Sequence, residues 1–150
     1  MSLEVRLTPI EIYQGGIVGI ARRIDSIRRD LVNKVPDNGS QWQIDIEGAL
    51  AELAFAKALG LYAGLTINNY GGADVGQYHV RHSPRPDARL IIRPEDKEEA
   101  MYALVTGLEG RYIVHGYIHG TRAKQNIYWM APNNRPGAWF VPQNALTSFQ

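Results

Sequence analysis

A few side chains carry most of the chemistry in this 150-residue sequence. Glu52 lies in the most apolar helical stretch, and its neighbours one turn away are Gly48, Ala49, Phe55 and Ala56. No cation is within helical reach. A carboxylate desolvated in this way takes up a proton or finds a tertiary partner: a metal ion, an arginine or a set of backbone amides. Asp74 follows Gly71-Gly72 and stands just ahead of an extended stretch, residues 78–83. Alternation there puts Gln77, His79 and Arg81 on one side and Tyr78, Val80 and His82 on the other. The polar side faces either water or a cleft holding Asp74 and Glu52.

Other constellations carry less. His115 and His119 fall in a strand-like run, where they share one side about 13 Å apart and cannot hold a single metal. The stretch from Gly71 to Gly76 has neither a Walker lysine nor dinucleotide spacing. Ser83 and Ser148 lack a nucleophile motif. The chain has no cysteine, which removes disulfides, thiolate nucleophiles and cysteine-based zinc sites. Any metal must then be held by carboxylates, histidine and carbonyls, a donor set that favours Mg²⁺ or Mn²⁺ over structural zinc.

The elements that would position these groups are legible. Leu3, Val5 and Leu7 alternate with charged residues, as in a half-buried strand or an extended arm. Thr8-Pro9-Ile10-Glu11 is a capping box with proline at the first helical position. Ile10, Tyr13, Ile17, Ile20, Ile24, Ile27 and Leu31 then recur every three or four residues, one face of a helix of about six turns. Gly15, Gly16 and Gly19 each weaken that helix by roughly 1 kcal/mol relative to alanine, so it leans on tertiary packing. Asn33 to Gly39 reads as a turn. Ser40 caps a second helix over about 41–59 that is apolar on most sides and ends at Gly60. Asn68 to Gly72 is a glycine-rich turn. Strands are expected over 78–83, 89–93, 101–106, 112–119, 127–130 and 138–141, with a short acidic helix or turn over 95–100. Helices first and strands after them predict an α+β domain with helices packed on one mixed sheet.

Residues 1–150 read as a single domain: an arm and amphipathic helix (1–39), then the main body (40–150). The formal net charge is +1, and it is unevenly spread. Arg22, Arg23, Arg28, Arg29 and Lys34, against Asp25 and Asp30, form a basic cluster between Ala21 and Lys34, as a solvated face or a phosphate-facing stripe. No acid follows Glu109, and the aromatics of that basic stretch either fill the core or stack on bases. There is no apolar run of membrane-spanning length and no signal-peptide pattern at the N-terminus, so the expectation is a cytoplasmic protein (the host cytoplasm, if phage-encoded) with no membrane partner.

Gly48-Ala49-Leu50-Ala51-Glu52-Leu53-Ala54, an aspartate at a turn about twenty residues later, and a strand with a residue-x-basic pattern together resemble the PD-(D/E)XK nuclease superfamily. Leu90-Ile91-Ile92 and Trp139-Phe140-Val141-Pro142 are also similar to small phage and prophage proteins associated with it. The resemblance covers about residues 44–146 and implies a restriction-endonuclease-like core. It also implies a nuclease: a phosphodiesterase acting on nucleic acid, DNA first, with Mg²⁺ or Mn²⁺ held by Glu52 and Asp74. His79 or Gln77 would complete the shell or position water, Arg81 would stabilise charge on phosphate, and Lys57 and Arg93 would be outlying phosphate contacts. Two positions depart from the pattern. His79 stands where the superfamily has an acid, and nitrogen is a poor ligand for Mg²⁺; Arg81 stands for lysine and does not readily release a proton. The second reading is therefore a catalytically inactive descendant that binds or scaffolds. A third is a homo-oligomer joined through the isoleucine-rich helix.

Overall fold

The computed structural model describes residues 2–30, 40–67 and 72–149. The expected turns over 33–39 and 68–71 lie outside these residues. The fold is α+β, with three α-helices and two sheets among the described residues.

Strand β1 (Leu3–Arg6) leads into helix α1 (Pro9–Arg28). The capping box is formed: Thr8 N–H donates to Glu11 Oε1 at 2.7 Å and Glu11 N–H to Thr8 Oγ1 at 3.3 Å. Helix α2 (Gln41–Leu59) starts at Ser40, whose hydroxyl accepts from Trp42 N–H, and stops at Gly60 in the left-handed conformation. Then follow β2 (Tyr78–Ser83), β3 (Leu90–Ile92), β4 (Met101–Leu108), β5 (Arg111–His119), the short α3 (Gly120–Ala123), β6 (Trp129–Met130) and β7 (Ala138–Val141).

The main sheet has the order β1-β5-β4-β2, with β2 parallel to β4 and the other pairs antiparallel. Its partner is a small antiparallel sheet, β3-β7-β6. Two sheets replace the single one expected, because β3 pairs with β7 some fifty residues downstream rather than with a neighbour in sequence. Residues 126–128 form a 3-10 turn, leaving only Trp129–Met130 as strand, and 95–100 is turn rather than helix.

Alternation along β4 explains how both faces of the main sheet are covered. Ala103 and Val105 join Phe55, Val75, Tyr112 and Val114 in a core beneath α2, whereas Tyr102 and Leu104 join Leu90, Ile92, Ile118 and Val141 beneath the small sheet. Phe55 is fully buried, and truncating such a residue to alanine costs about 3–5 kcal/mol.

Helix α1 packs on α2, but not through its isoleucines. Gly15 and Gly19 face α2: a Cβ on Gly19 would collide with the Ile46 backbone, and one on Gly15 would sit 2.7 Å from Leu50 Cδ2. Their missing side chains set how closely the two helices approach. The regularly spaced stripe therefore points outward, with Ile10, Tyr13, Ile17, Ile20, Ile24 and Ile27 all at least 41% exposed. The expectation that tertiary packing supports α1 holds for the glycine side only.

Candidate functional site

Arg22 lies three residues after Gly19, on the side of α1 that meets α2. Its guanidinium forms a two-pronged pair with Glu52: Nη1 donates to Oε1 at 2.9 Å and Nη2 to Oε2 at 2.8 Å. Nε donates to the Thr66 carbonyl at 2.8 Å. A planar fork matched to a carboxylate in this way is among the stronger polar contacts a protein makes. Asp74 arrives from another direction. A tight turn, in which Val75 bridges Tyr78, folds it back on the free edge of β2, where Asp74 Oδ2 accepts the Val80 N–H at 2.7 Å.

The acids sense one another. Burial pushes the Glu52 carboxyl above its usual range; Arg22 pulls it down, and the negative charge of Asp74 pushes it further up. Burial likewise raises Asp74, opposed by the Val80 N–H and by the positive charges of His79, Arg81 and Arg22. Arg22 is held more firmly protonated than usual: burial works against its charge, but the bond to Glu52 together with the negative charges of Glu52, Asp74 and Asp45 outweighs it.

The other expected site residues are placed as follows. His79 stacks on Tyr102, with ring centroids 5.2 Å apart. Arg81 Nη2 donates to Asp96 Oδ1 at 2.9 Å, and its guanidinium carbon lies 5.3 Å from the Tyr102 ring centroid. Arg81 Nε is buried without a hydrogen-bond partner among the described residues. The polar side of β2 is thus turned toward Tyr102 and Asp96, while Tyr78 and Val80 pack on the α2 side. The alternation is as expected, but a common cleft with Glu52 is not what that side faces; only Asp74, at the start of the strand, acts on both groups. Gln77 is exposed, its amide 3.5 Å from the Tyr78 hydroxyl. Arg93 meets the same aspartate as Arg81, through its backbone N–H to Asp96 Oδ2 at 2.8 Å. Lys57 is engaged elsewhere: its ammonium donates to the Arg6 carbonyl at 2.8 Å and to Glu11 Oε1 at 2.7 Å, tying α2 to the start of α1.

The geometry does not fit a divalent ion. Among the described residues no three His, Asp or Glu side chains converge as a metal group. Both Glu52 oxygens are occupied by Arg22, and one Asp74 oxygen by Val80. Mg²⁺ is ordinarily held by one or two carboxylates with waters completing the octahedron, so what stands against it here is the guanidinium, which an ion would have to displace from Glu52. A groove of about 520 Å³ is lined by Arg6, Arg111 and Tyr112 but by neither Glu52 nor Asp74.

A second buried polar group lies nearer the start of α2. Glu47 Oε2 accepts from the Tyr112 hydroxyl at 2.6 Å and Oε1 from the Glu109 N–H at 3.0 Å. Beside it, the His82 ring meets the Gly107 carbonyl at 2.8 Å as a neutral donor, and burial lowers its pKa. His115 and His119 serve separate ends, one against Thr106 Oγ1 at 2.7 Å and the other capping α3 through Thr121 N–H. Most aromatics of the basic C-terminal stretch fill or flank the cores; Trp129 is the exposed one.

Sequence reasoning placed Arg22 in a surface or phosphate-facing cluster rather than beside Glu52, and it missed Asp96 and the Glu47–Tyr112 pair. For Arg22 a signal existed: Gly15, Gly19 and Arg22 share helical spacing on the side opposite the isoleucines. No family model matches the sequence, and neither a curated protein nor a solved structure matches the chain.

Proposed function

We propose that this chain is a nucleic-acid-binding module on a restriction-endonuclease-like scaffold, in which the acid pair serves structure rather than hydrolysis. The observation that carries this reading is the Arg22–Glu52 fork, in which a guanidinium engages both oxygens of the carboxylate that the resemblance assigns to a metal ion. Arg22 supplies the positive charge that two desolvated acids require, and no cation need be recruited from solution. Arg81 keeps a cation where the superfamily pattern has a lysine, and His79 removes the negative charge of the pattern's acid. The Arg81 side chain is part-exposed, with its guanidinium held between Asp96 and the Tyr102 ring, and guanidinium is well shaped for phosphate. Arg93, beside it at Asp96, is a flanking contact.

Anisotropy titrations of labelled single-stranded, duplex and branched DNA and of RNA, in EDTA and in Mn²⁺, test this. Expected are binding in EDTA that weakens with salt, at least a tenfold loss in Arg81→Ala, and intact strands in Mn²⁺. Absence of binding to every probe overturns it. One observation favours the nuclease reading instead: Glu52 and Asp74 are close enough to act on each other's ionisation. Mg²⁺ or Mn²⁺ would then have to displace Arg22 from Glu52. Cleavage in Mn²⁺ that disappears in both Glu52→Gln and Asp74→Asn would establish that reading in place of the first.

A further inference from the structure

The outward stripe of α1 has a stricter period than core packing requires. Ile10, Tyr13, Ile17, Ile20, Ile24 and Ile27 follow one another at intervals of three, four, three, four and three residues. This is the a/d spacing of a coiled-coil seam, narrower than the band by which a helix normally meets a domain core. The side of α1 that does meet the core is the opposite one, built on Gly15 and Gly19. All six seam residues are left at least 41% exposed. At roughly 100 Å² still open on each, they offer about 600 Å² per chain and about 1,200 Å² for a pair, the lower end of a stable specific interface.

We infer that a second copy of this chain covers this face, with the two α1 helices antiparallel about a two-fold axis. The spacing of the stripe fits a second copy in this direction. About a point midway between Ile17 and Ile20 the positions are palindromic: Ile10 meets the partner's Ile27, Tyr13 the partner's Ile24, and Ile17 the partner's Ile20. These are the a-to-d layers of an antiparallel pair, and a self-complementary patch is what a two-fold dimer needs. The helix dipoles favour the same direction. At the C-terminal end of α1 Arg29 pairs with Asp25 at 3.2 Å, and exposed Arg28 has Asp30 close by; an antiparallel pair holds the two C-terminal ends roughly 30 Å apart and opposes the dipoles. Gly16, on the flank of the stripe, points its missing Cβ into open space. Nothing among the described residues lies within 4 Å of that position, and a glycine there lets a second backbone approach closely.

Analytical ultracentrifugation of the full chain tests this. Twice the 16.8 kDa chain mass is expected, falling to the single mass in Ile17→Glu/Ile20→Glu with unchanged circular dichroism. Ile127→Glu, at another exposed apolar position, should leave the dimer intact. A wild type of single mass at all concentrations from 1 to about 500 μM overturns the proposal, whatever other partner the face binds. Direction is read in the cysteine-free background, with no reliance on the glutamate variants folding. Ile10→Cys and Ile27→Cys proteins, mixed and oxidised, should cross-link to each other and not to themselves; self-linked Ile27→Cys dimers would overturn the antiparallel arrangement.

Discussion

Glu47 and Glu52 sit five residues apart on one helix and are buried alike, at 7% and 9% exposure, yet their surroundings are opposite in kind. Glu47 is met by neutral donors, a phenol and a backbone amide. Glu52 is met by a guanidinium and pressed by a second acid. Burial of a carboxylate is thus silent about its role; what separates the two is whether charge must be brought in to hold it. The Glu47 end closes on itself with hydrogen bonds. The Glu52 end balances only because α1 delivers Arg22, and this makes it the place where a different cation would have consequences.

The sharpest way to break the contrast is Arg22→Ala. It leaves Glu52 buried, unpaired and beside Asp74, and should cost about 3–5 kcal/mol in urea denaturation. Adding Glu52→Gln should recover a good part of that loss; a double variant as unstable as the single one would mean that Arg22 matters for packing and not for charge. At the other end, Glu47→Ala strands the Tyr112 hydroxyl and the Glu109 amide and should cost about 2–3 kcal/mol, while Glu47→Gln, which keeps hydrogen-bonding capacity, should cost about 1 kcal/mol. A Glu47→Gln loss equal to that of Arg22→Ala would erase the distinction.

Smaller but more diagnostic is the pH dependence, because the two ends have opposite signs. Asp74 is raised above 3.8 and Glu52 above 4.5, so between those values and their higher folded values the native state binds more protons than the unfolded one. The stability they contribute falls as pH rises through that window. His82 is lowered below 6.5, so the unfolded state binds more protons there, and its contribution is lost as pH falls from 6.5 through the folded pKa. Melting curves from pH 3.5 to 7.5 should show the acid-side effect shrinking in Asp74→Asn and the neutral-side effect shrinking in His82→Gln. Carboxyl carbon NMR should place the Asp74 midpoint above 3.8.

Legibility followed sequence separation. The strand alternation was readable because it is local: β5 alternates buried and partly buried residues almost throughout, and β2 and β7 fall where expected. The α1 stripe was equally plain, but periodicity says only that a face exists, not what covers it. The glycines on its other side hold that information, since a missing Cβ lets a helix backbone approach where an isoleucine would hold it off. Burial of Glu52 followed from its apolar neighbours. Its partner Arg22 lies thirty residues away in sequence, and the Asp96 that engages Arg81 lies in a turn with no pattern of its own. The division into two sheets depends on β3 finding β7, a pairing that no window of a few residues contains.

The docking of Asp74 on β2 has a consequence beyond the acid pair. β2 is the last strand of the main sheet, and its outer rim is a row of backbone groups onto which a strand from another molecule can add. By accepting the Val80 N–H, the Asp74 carboxylate occupies one rung of that rim and sets a negative charge in the path of an incoming chain. A charge at a strand edge opposes such pairing. Changes at Asp74 should therefore be followed by thioflavin fluorescence during storage as well as by melting temperature, because a variant that folds normally has still lost its guard.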